Sequence, residues 1–548
     1  MESFDAFYNI LVSIWEEEIM PCDFRDATIV CLFKNKGNKS DCGNYRGISL
    51  LSIAGKILAR IILNRLINTI SEDSLPEAQC GFRPGRSTVD MIFTVRQVQE
   101  KCIEQNMDLF AVVIDLTKAF DTVNREALWT ILARLGCPKK FVQLIRLFHD
   151  GMEGHVLSNG DASQPFEISN GVKQGCVLAP VLFNLFFSCV LNHAVHDFDK
   201  GVYLRYRLDG SLFDLRRLNA KTKTLKRLLL EALFADDCAL IAHTEFDLQV
   251  IVNRFAEACR LFGLTISLSK TEVLFQPAPG TVRPPPTPTI RIESTQLKVV
   301  DQFKYLGSII SSDGSLDKEI AARIGKASQS LGCLRSRVLN NKNIKLATKI
   351  KVYKAVVLTS LLYGCETWTL YRKHLKQLER FHMRALRSIL GVKWQDKISN
   401  LEVLDRAKLV SIESIVVRAQ LRWTGHVIRM DDSRLPRQVL YGVLSHGQRK
   451  EGHPKKRFKD CVKESLKNCV FPVKELENRA RDRVSWRAAT RHAFSTCENN
   501  RREKIHSTRE RRKASVARPV GAAFPCPQCP RVCGSRIGLL SHTRAHHN

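Results

Sequence analysis

The sequence predicts an α+β protein whose first half mixes strands and helices around a set of acids and whose second half is helical and basic. Three observations predict it. Apolar strand-like runs alternate with amphipathic helical stretches to about residue 310, and from about Ser315 onward the pattern is helical and basic. Between them lies Leu233-Phe234-Ala235-Asp236-Asp237-Cys238-Ala239-Leu240, two short apolar runs around an adjacent acid pair. It reads as a tight hairpin with the carboxylates at its tip, packed by its flanks into a core. Two acids held in a cleft do not easily stay ionised without a cation, which points to a divalent metal. A solvated Asp-Asp loop has the same local pattern, so the octapeptide alone leaves both readings open.

The chain has 548 residues, which suggests roughly three or four domains. Its 44% hydrophobic and 26% charged residues are ordinary for folded protein, whereas its net charge of +30 is not. Such an excess of Lys and Arg calls for a polyanionic partner, nucleic acid before an acidic membrane surface. No apolar run is long enough to span a bilayer, so no membrane partner is expected. Residues 1–20 carry Glu16, Glu17 and Glu18 and read as an amphipathic helix, not a signal peptide. Most of the 18 cysteines (Cys31, Cys102, Cys176, Cys189 and Cys238 among them) are scattered through apolar segments, as free thiols in a reducing compartment are.

In chain order, Ala27–Phe33 is a strand ending at the polar turn around Lys34, and Tyr45-Arg46-Gly47-Ile48-Ser49-Leu50 follows before a periodic helix from Lys56 to Ile70. Basic residues on this hairpin suit a surface that grips phosphates, or they are solvated loop charges. Gln79–Thr88 is a Gly- and Arg-rich turn whose Arg83 and Arg86 could approach an anion closely, and a helix follows to about Gln105. Phe110–Leu116 is a nearly all-apolar strand with Asp115 close to its end, a costly place for a carboxylate unless a cation compensates it. Asp121 comes next, then a helix from Arg125 to Leu135.

Asn170–Pro180 is a glycine-punctuated loop entering an apolar helix from Val181 to Ala194, and its glycines permit close packing on a flat ligand such as a base pair. A basic stretch with Arg205, Arg207, Arg216, Arg217, Lys221, Lys223 and Lys226 precedes the acidic hairpin. A helix from Asp247 to Phe262 and an extended segment with Lys270, Thr271 and Glu272 follow the hairpin. Pro277–Pro288 is a proline-rich exposed loop, and Phe303–Ile310 reads as one further strand.

About +20 of the formal charge lies within residues 371–520. Two aromatic-basic clusters stand out there, Arg422-Trp423-Thr424-Gly425-His426 and His453-Pro454-Lys455-Lys456-Arg457-Phe458-Lys459. They suit base stacking with phosphate contact, although Trp423 fits a core position equally well.

The order of these pieces resembles the reverse transcriptase of non-LTR, LINE-type retrotransposons from about residue 25 to residue 310. Seven motifs carry the resemblance in order: Tyr45–Leu50, Gln79–Thr88, Asp115–Asp121, Gly171–Pro180, Phe234–Asp237, Gly263–Glu272 and Tyr305–Gly307. Glu366-Thr367-Trp368-Thr369 and the Arg422 cluster look closest to the RTE-like branches.

The resemblance implies a right-hand polymerase with fingers at 1–110, an antiparallel-sheet palm at 111–312 and a helical thumb at 313–395. A basic helical nucleic-acid-binding region at 396–520 and a small zinc finger at 521–548 would follow. It implies RNA-directed DNA polymerisation: nucleotidyl transfer from dNTPs onto a DNA primer 3′-hydroxyl, copied from an RNA template with two Mg²⁺ ions. Asp115, Asp236 and Asp237 would hold the metals, Asp236 as the bridging ligand and Asp237 less directly. Arg46, helped by Lys34, would hold the triphosphate. Phe120 would exclude a ribose 2′-hydroxyl, which favours dNTPs and disfavours RNA synthesis. Gln174 and Gly175 would pack along the nascent pair, Lys270 would protonate pyrophosphate, and Tyr305–Gly307 would grip the primer.

Two positions depart from the family pattern, Gly47 where Pro is common and Ser267 where Asn is common. Met1 starts almost at the fingers, ahead of which such elements usually carry an endonuclease domain; either the product is truncated, or insertion would need an endonuclease in cis or in trans. The resemblance places the product in the nucleus, after cytoplasmic synthesis and association with RNA. The competing reading is a catalytically inactive or co-opted remnant that only binds nucleic acid.

Cys526-Pro527-Gln528-Cys529, then His542 and His546, has the spacing of a two-Cys two-His zinc finger. Phe524 and Leu539 suit its small core, Cys533 replaces the usual aromatic, and His547 could stand in for His546. Zinc would supply most of the folding free energy of so small a unit. A single finger could bind nucleic acid weakly or contact protein instead.

Overall fold

The computed structural model describes residues 2–35, 37–71, 74–158, 160–207, 212–214, 218, 220, 222–280, 286–447, 455–516, 524–533, 535–544 and 546. Arg216, Arg217, Lys221, His453, Pro454, His547 and part of the proline-rich loop lie outside the described residues.

Helix α1 (Glu2–Glu17) is the expected N-terminal helix, and Trp15 on it meets Phe141 edge-on with centroids 5.6 Å apart. Strands β1 (Ala27–Phe33) and β2 (Tyr45–Leu50) pair antiparallel, Leu32 opposite Arg46. Helix α2 (Ile53–Leu66) starts at Ser52, whose side-chain oxygen accepts from Gly55 N–H at 3.0 Å, an ordinary N-cap. Helix α3 (Thr88–Glu104) is buried along most of its length, and β3 (Leu109–Ile114) follows it. Helices α4 (Arg125–Arg134) and α5 (Lys139–Leu147) form a hairpin, and β4 (Glu153–Ser158) then pairs parallel with β1.

Helix α6 (Ala179–Val195) precedes a ribbon of β5 (Val202–Tyr206) and β6 (Leu225–Leu229). The acidic hairpin is β7 (Glu231–Phe234) and β8 (Asp237–Ala242). Helix α7 (Glu245–Leu261), β9 (Glu272–Gln276) and β10 (Lys298–Val299) complete the central sheet, whose order is β10-β9-β3-β8-β7. β3 runs antiparallel to both neighbours, with Val112 opposite Val273 on one side and Leu240 on the other. This central place explains its continuous apolar run, since neither face of the strand reaches water except near Val113.

The single strand expected over Phe303–Ile310 is instead a hairpin, β11 (Gln302–Tyr305) and β12 (Ser308–Ser311). Leu306 and Gly307 turn it with φ of +46° and +78°. An apolar run conceals such a turn because Leu306 is not a residue that advertises a left-handed backbone.

Beyond the sheet the side chains divide into two cores. One contains Leu316–Val416, with α8 (Asp317–Leu334) and α9 (Arg372–Leu390). The other holds the sheet and also takes in residues 417–497, so the C-terminal half folds back onto the first half. Its helices are α10 (Ile412–Ile428), α11 (Leu435–Tyr441), α12 (Phe458–Asn468) and α13 (Arg483–Val516). Helix α11 packs on α3, and β13 (Val443–Leu444) adds a strand to β5 of the ribbon. At the C-terminus β14 (Phe524–Pro525), β15 (Val532–Cys533) and α14 (Arg536–Arg544) make a small ββα unit. Among the described residues no helix is long and apolar enough to cross a membrane.

Candidate active site

The acidic hairpin is held by a segment distant in sequence. Ala235 at the turn has φ +57°, a left-handed conformation that an alanine adopts only when its surroundings compel it. Buried Gln79 supplies the constraint: its Oε1 accepts from Ala235 N–H at 2.8 Å and its Nε2 donates to Ala235 O at 3.1 Å. The same Oε1 accepts from Gly81 N–H, and a Cβ on Gly81 would lie 2.2 Å from Ala235 N, so only glycine fits there. Backbone bonds from Cys80 N to Leu233 O and from Leu233 N to Ala78 O complete the clamp. Sequence reasoning missed Gln79 as a positioning residue; a polar side chain just before a Cys-Gly turn was its only signal.

The clamped turn faces the end of β3. Cys238 lies opposite Ile114, so the next step along each strand sets Asp237 opposite Asp115. Burial raises the pKa of Asp236, the charge of Asp115 adds to the effect, and Arg46 opposes it. Asp237 sits at the rim, yet lost hydration, Asp236 and Asp115 together push it up to about 6, with Lys304 opposing. Three carboxylates thus crowd one end of the sheet, where ionising all of them without a cation is unfavourable. Asp121 stands apart from them: burial raises it, and Lys118 is the charge that opposes the rise.

Lys270 reaches this group directly, its Nζ 2.7 Å from Asp115 Oδ2. It is carried on the turn before β9, where Ser267 N–H donates to Asp115 O at 2.8 Å. Phe120 stacks on Phe183 with centroids 4.5 Å apart, which fixes the ring against α6. Gln174 O accepts from Ser49 N–H at 2.8 Å, joining its loop to β2. Gly175 has φ +116°, and a Cβ there would lie 2.6 Å from Ser49 O. The Lys173 ammonium, buried beside them, donates to Arg25 O, and burial lowers it to about 8. Arg46, on the neighbouring strand, is exposed and close enough for its charge to act on Asp236. Lys34 is not brought to the carboxylates; its Nζ donates to Gly43 O in its own hairpin turn at 3.0 Å.

Two expected contact groups serve other ends. Arg83 is buried and donates to Pro76 O and Gln79 O, and Arg86 pairs with Glu77, so neither guanidinium is offered to an anion. Tyr305 is buried with its hydroxyl donating to Ala232 O at 2.9 Å, which ties β11 to the hairpin strand β7.

The family model for reverse transcriptase (RNA-dependent DNA polymerase) matches residues 34–310, half of the chain. The chain belongs to the reverse transcriptase family. It is 26% identical over 387 residues to the RNA-directed DNA polymerase from mobile element jockey of Drosophila funebris, covering 69% of this chain and 39% of that protein. It is 25% identical over 443 residues to the probable RNA-directed DNA polymerase from transposon BS of Drosophila melanogaster, covering 79% and 45%. The chain therefore spans less than half the length of these relatives. Apo telomerase from Candida tropicalis aligns with 80% of this chain and 75% of its own at 12% identity and a TM-score of 0.37, a likeness too loose to build on.

Within this family member the C-terminal aromatic-basic clusters are mostly structural. Trp423 is buried and meets Phe93 of α3 edge-on at 5.5 Å, which settles its alternatives in favour of the core. Phe458 packs on the same Phe93 at 5.1 Å, and Arg457 pairs with Glu104 at 2.9 Å. Lys459 is buried.

At the C-terminus the donor atoms of Cys526, Cys529, His542 and His546 lie within 4.8 Å of one another. Two thiols and two imidazoles converging on the ends of a hairpin and a helix form a donor set that fits a tetrahedral metal ion. Cys533 is buried between them and α14, where the expected aromatic is replaced by a smaller side chain.

Proposed function

We propose that the chain is an RNA-directed DNA polymerase of a LINE-type, RTE-like retrotransposon, extending a DNA primer with dNTPs on an RNA template. The observation that carries the proposal is the convergence of Asp115, Asp236 and Asp237 at one end of a buried sheet, with Lys270 bonded to Asp115. Those three carboxylates suit two Mg²⁺ ions. When bound, the ions would favour ionisation of the primer 3′-hydroxyl and neutralise the leaving pyrophosphate.

The chain's own residues supply the rest. Lys270, bonded to Asp115, is the general acid for pyrophosphate. Arg46 binds the triphosphate, with Lys34 in support at the hairpin turn. Phe120, held flat by Phe183, closes the space a ribose 2′-hydroxyl would need and so selects dNTPs. Gln174 and Gly175, their loop anchored to β2, form the surface along the nascent pair. In this reading residues 1–110 are fingers, 111–312 palm, 313–395 thumb and 396–520 a nucleic-acid-binding region.

Residues 521–548 bind Zn²⁺ through Cys526, Cys529, His542 and His546. The protein works at a nuclear DNA target after being made in the cytoplasm and associating with RNA, and an endonuclease in cis or in trans supplies the nick.

The test is purified protein with poly(rA), oligo(dT), Mg²⁺ and labelled dTTP. Incorporation that is lost in Asp236→Ala supports the proposal. No incorporation by the natural chain, or equal incorporation by the variant, favours the binding-only remnant.

A further inference from the structure

Most arginines of the C-terminal region that face protein are matched by carboxylates. Arg434 pairs with Glu77 and Asp90, Arg457 with Glu104, and Arg502 with Asp405 and Glu498. Arg501 of α13 still pairs with Glu413 near the start of α10, but at the other end of this helix pair the matching stops. One turn of α10 places Arg422 and His426 on one wall, and α13 places Arg483 and Arg487 on the other, at i and i+4 spacing. With Arg429 and Glu366 they line an open cleft of about 470 Å³, within the ~300–1,000 Å³ range of ligand clefts.

Among the described residues none of Arg422, Arg483 and Arg487 is ion-paired, and Arg429 donates to a carbonyl, Ala480 O, at 2.6 Å. Four guanidiniums therefore face Glu366 across the cleft, with Asp482 acting on Arg429 as the other carboxylate, a local excess that a polyanion would relieve. The two helices meet below the cleft at Gly425, where a Cβ would lie 2.0 Å from Trp486 Nε1, so the walls are fixed relative to each other. Both indoles at the cleft, Trp423 and Trp486, are buried, 7% and 2% exposed, and offer no ring for a base to stack on.

The cleft also adjoins the polymerase end of the molecule. Glu366 lies three residues after Tyr363, whose hydroxyl donates to Leu306 O in the β11–β12 turn at 2.9 Å.

We propose that the cleft between α10 and α13 grips the phosphodiester backbone of a single nucleic-acid strand through Arg422, Arg429, Arg483 and Arg487, without reading bases. The choice of a nucleic acid over other polyanions rests on the polymerase reading; the anion site itself rests on the unmatched guanidiniums. Arginine forks suit phosphate oxygens, and a cationic groove whose indoles are buried, with the His426 ring the exposed one among its lining residues, makes binding depend chiefly on charge and salt.

The experiment measures full-length chain binding to labelled single-stranded RNA, and separately to single-stranded DNA, across a salt series by fluorescence anisotropy. Arg483→Ala/Arg487→Ala should flatten the slope of log affinity against log salt by about 1.4, since each lost phosphate contact on a single strand removes about 0.7. Arg483→Lys/Arg487→Lys should keep most of the slope. An unchanged slope in the alanine pair overturns the proposal. So does an equal change in Arg134→Ala/Lys139→Ala, a pair on the α4–α5 hairpin, which would assign the effect to net charge alone. A loss that differs between base sequences overturns the claim that bases are not read.

The same preparations are assayed for dTTP incorporation on a saturating primer–template. Binding with the expected slope but no incorporation by the natural chain removes the polymerase reading and leaves the cleft standing. Incorporation with no slope change does the reverse.

Discussion

The acidic end of the central sheet and the basic C-terminal shell use charge in opposite ways. At the sheet end, Asp115, Asp236 and Asp237 are crowded together, and among the described residues Lys270 is the one cation bonded to them, so the arrangement is poor as structure and makes sense as a cation site. In the shell, Arg434 and Arg457 are absorbed by Glu77, Asp90 and Glu104 and fasten the C-terminal half to α3. An unbalanced charge cluster is evidence for a ligand, and a balanced one is evidence for assembly. The cleft of Arg422, Arg483 and Arg487 belongs with the first kind although it lies within the second region.

The largest expected effect separates the two regions. Asp236→Asn should lower primer extension by at least about 10³-fold. Its melting temperature without metal should be unchanged or higher, because one of three mutually repelling acids is removed. A variant that loses stability in step with activity would show that Asp236 is structural.

Arg434→Ala should behave the opposite way. It strips a partner from the buried Asp90 and from Glu77, at a cost of about 3–5 kcal/mol in denaturant unfolding, and spares extension under conditions where the protein stays folded. Gly425→Ala should cost about 1–3 kcal/mol by forcing α10 away from Trp486. A neutral result there would mean that the two helices are not held in register.

The smallest effect is a pH dependence beside the Gln174–Gly175 loop. Lys173 has its pKa lowered to about 8 by burial, below the ordinary lysine value of 10.5. From about pH 8 to 10.5 the unfolded chain binds the proton that the folded chain has lost, so this group makes stability rise with pH across that window. Melting curves of Lys173→Met should lack that contribution. An identical pH profile would mean the Lys173 ammonium is charged in the fold.

The features that were legible in the sequence are those where burial and charge conflict locally. The acid at the end of β3 and the acid pair between apolar runs could be found because a carboxylate has no structural reason to sit there. The four donor residues at the C-terminus were legible from spacing alone, because a hairpin followed by a helix fixes their separation.

What stayed hidden depends on partners far away in the chain. Beyond its place before a Cys-Gly turn, Gln79 gives no local hint that it holds Ala235, 156 residues away, in a left-handed turn. The aromatic-basic clusters were ambiguous because arginine serves equally for phosphate and for carboxylate, and only tertiary packing placed Glu104 beside Arg457 and Phe93 beside Trp423. The turn at Leu306–Gly307 stayed hidden inside an apolar run for the same reason. Its support comes from Tyr363 and Arg323, each bonding a carbonyl of the turn.

The most direct test of the carboxylate site is single-turnover extension of an RNA-templated primer as a function of Mg²⁺ concentration, for the natural chain, Asp115→Asn and Asp236→Asn. The rate should rise and saturate with Mg²⁺ in the natural chain and stay near zero throughout in both variants, with all three equally folded. A variant that retains the natural metal dependence would contradict the assignment of these carboxylates as the metal-binding centre.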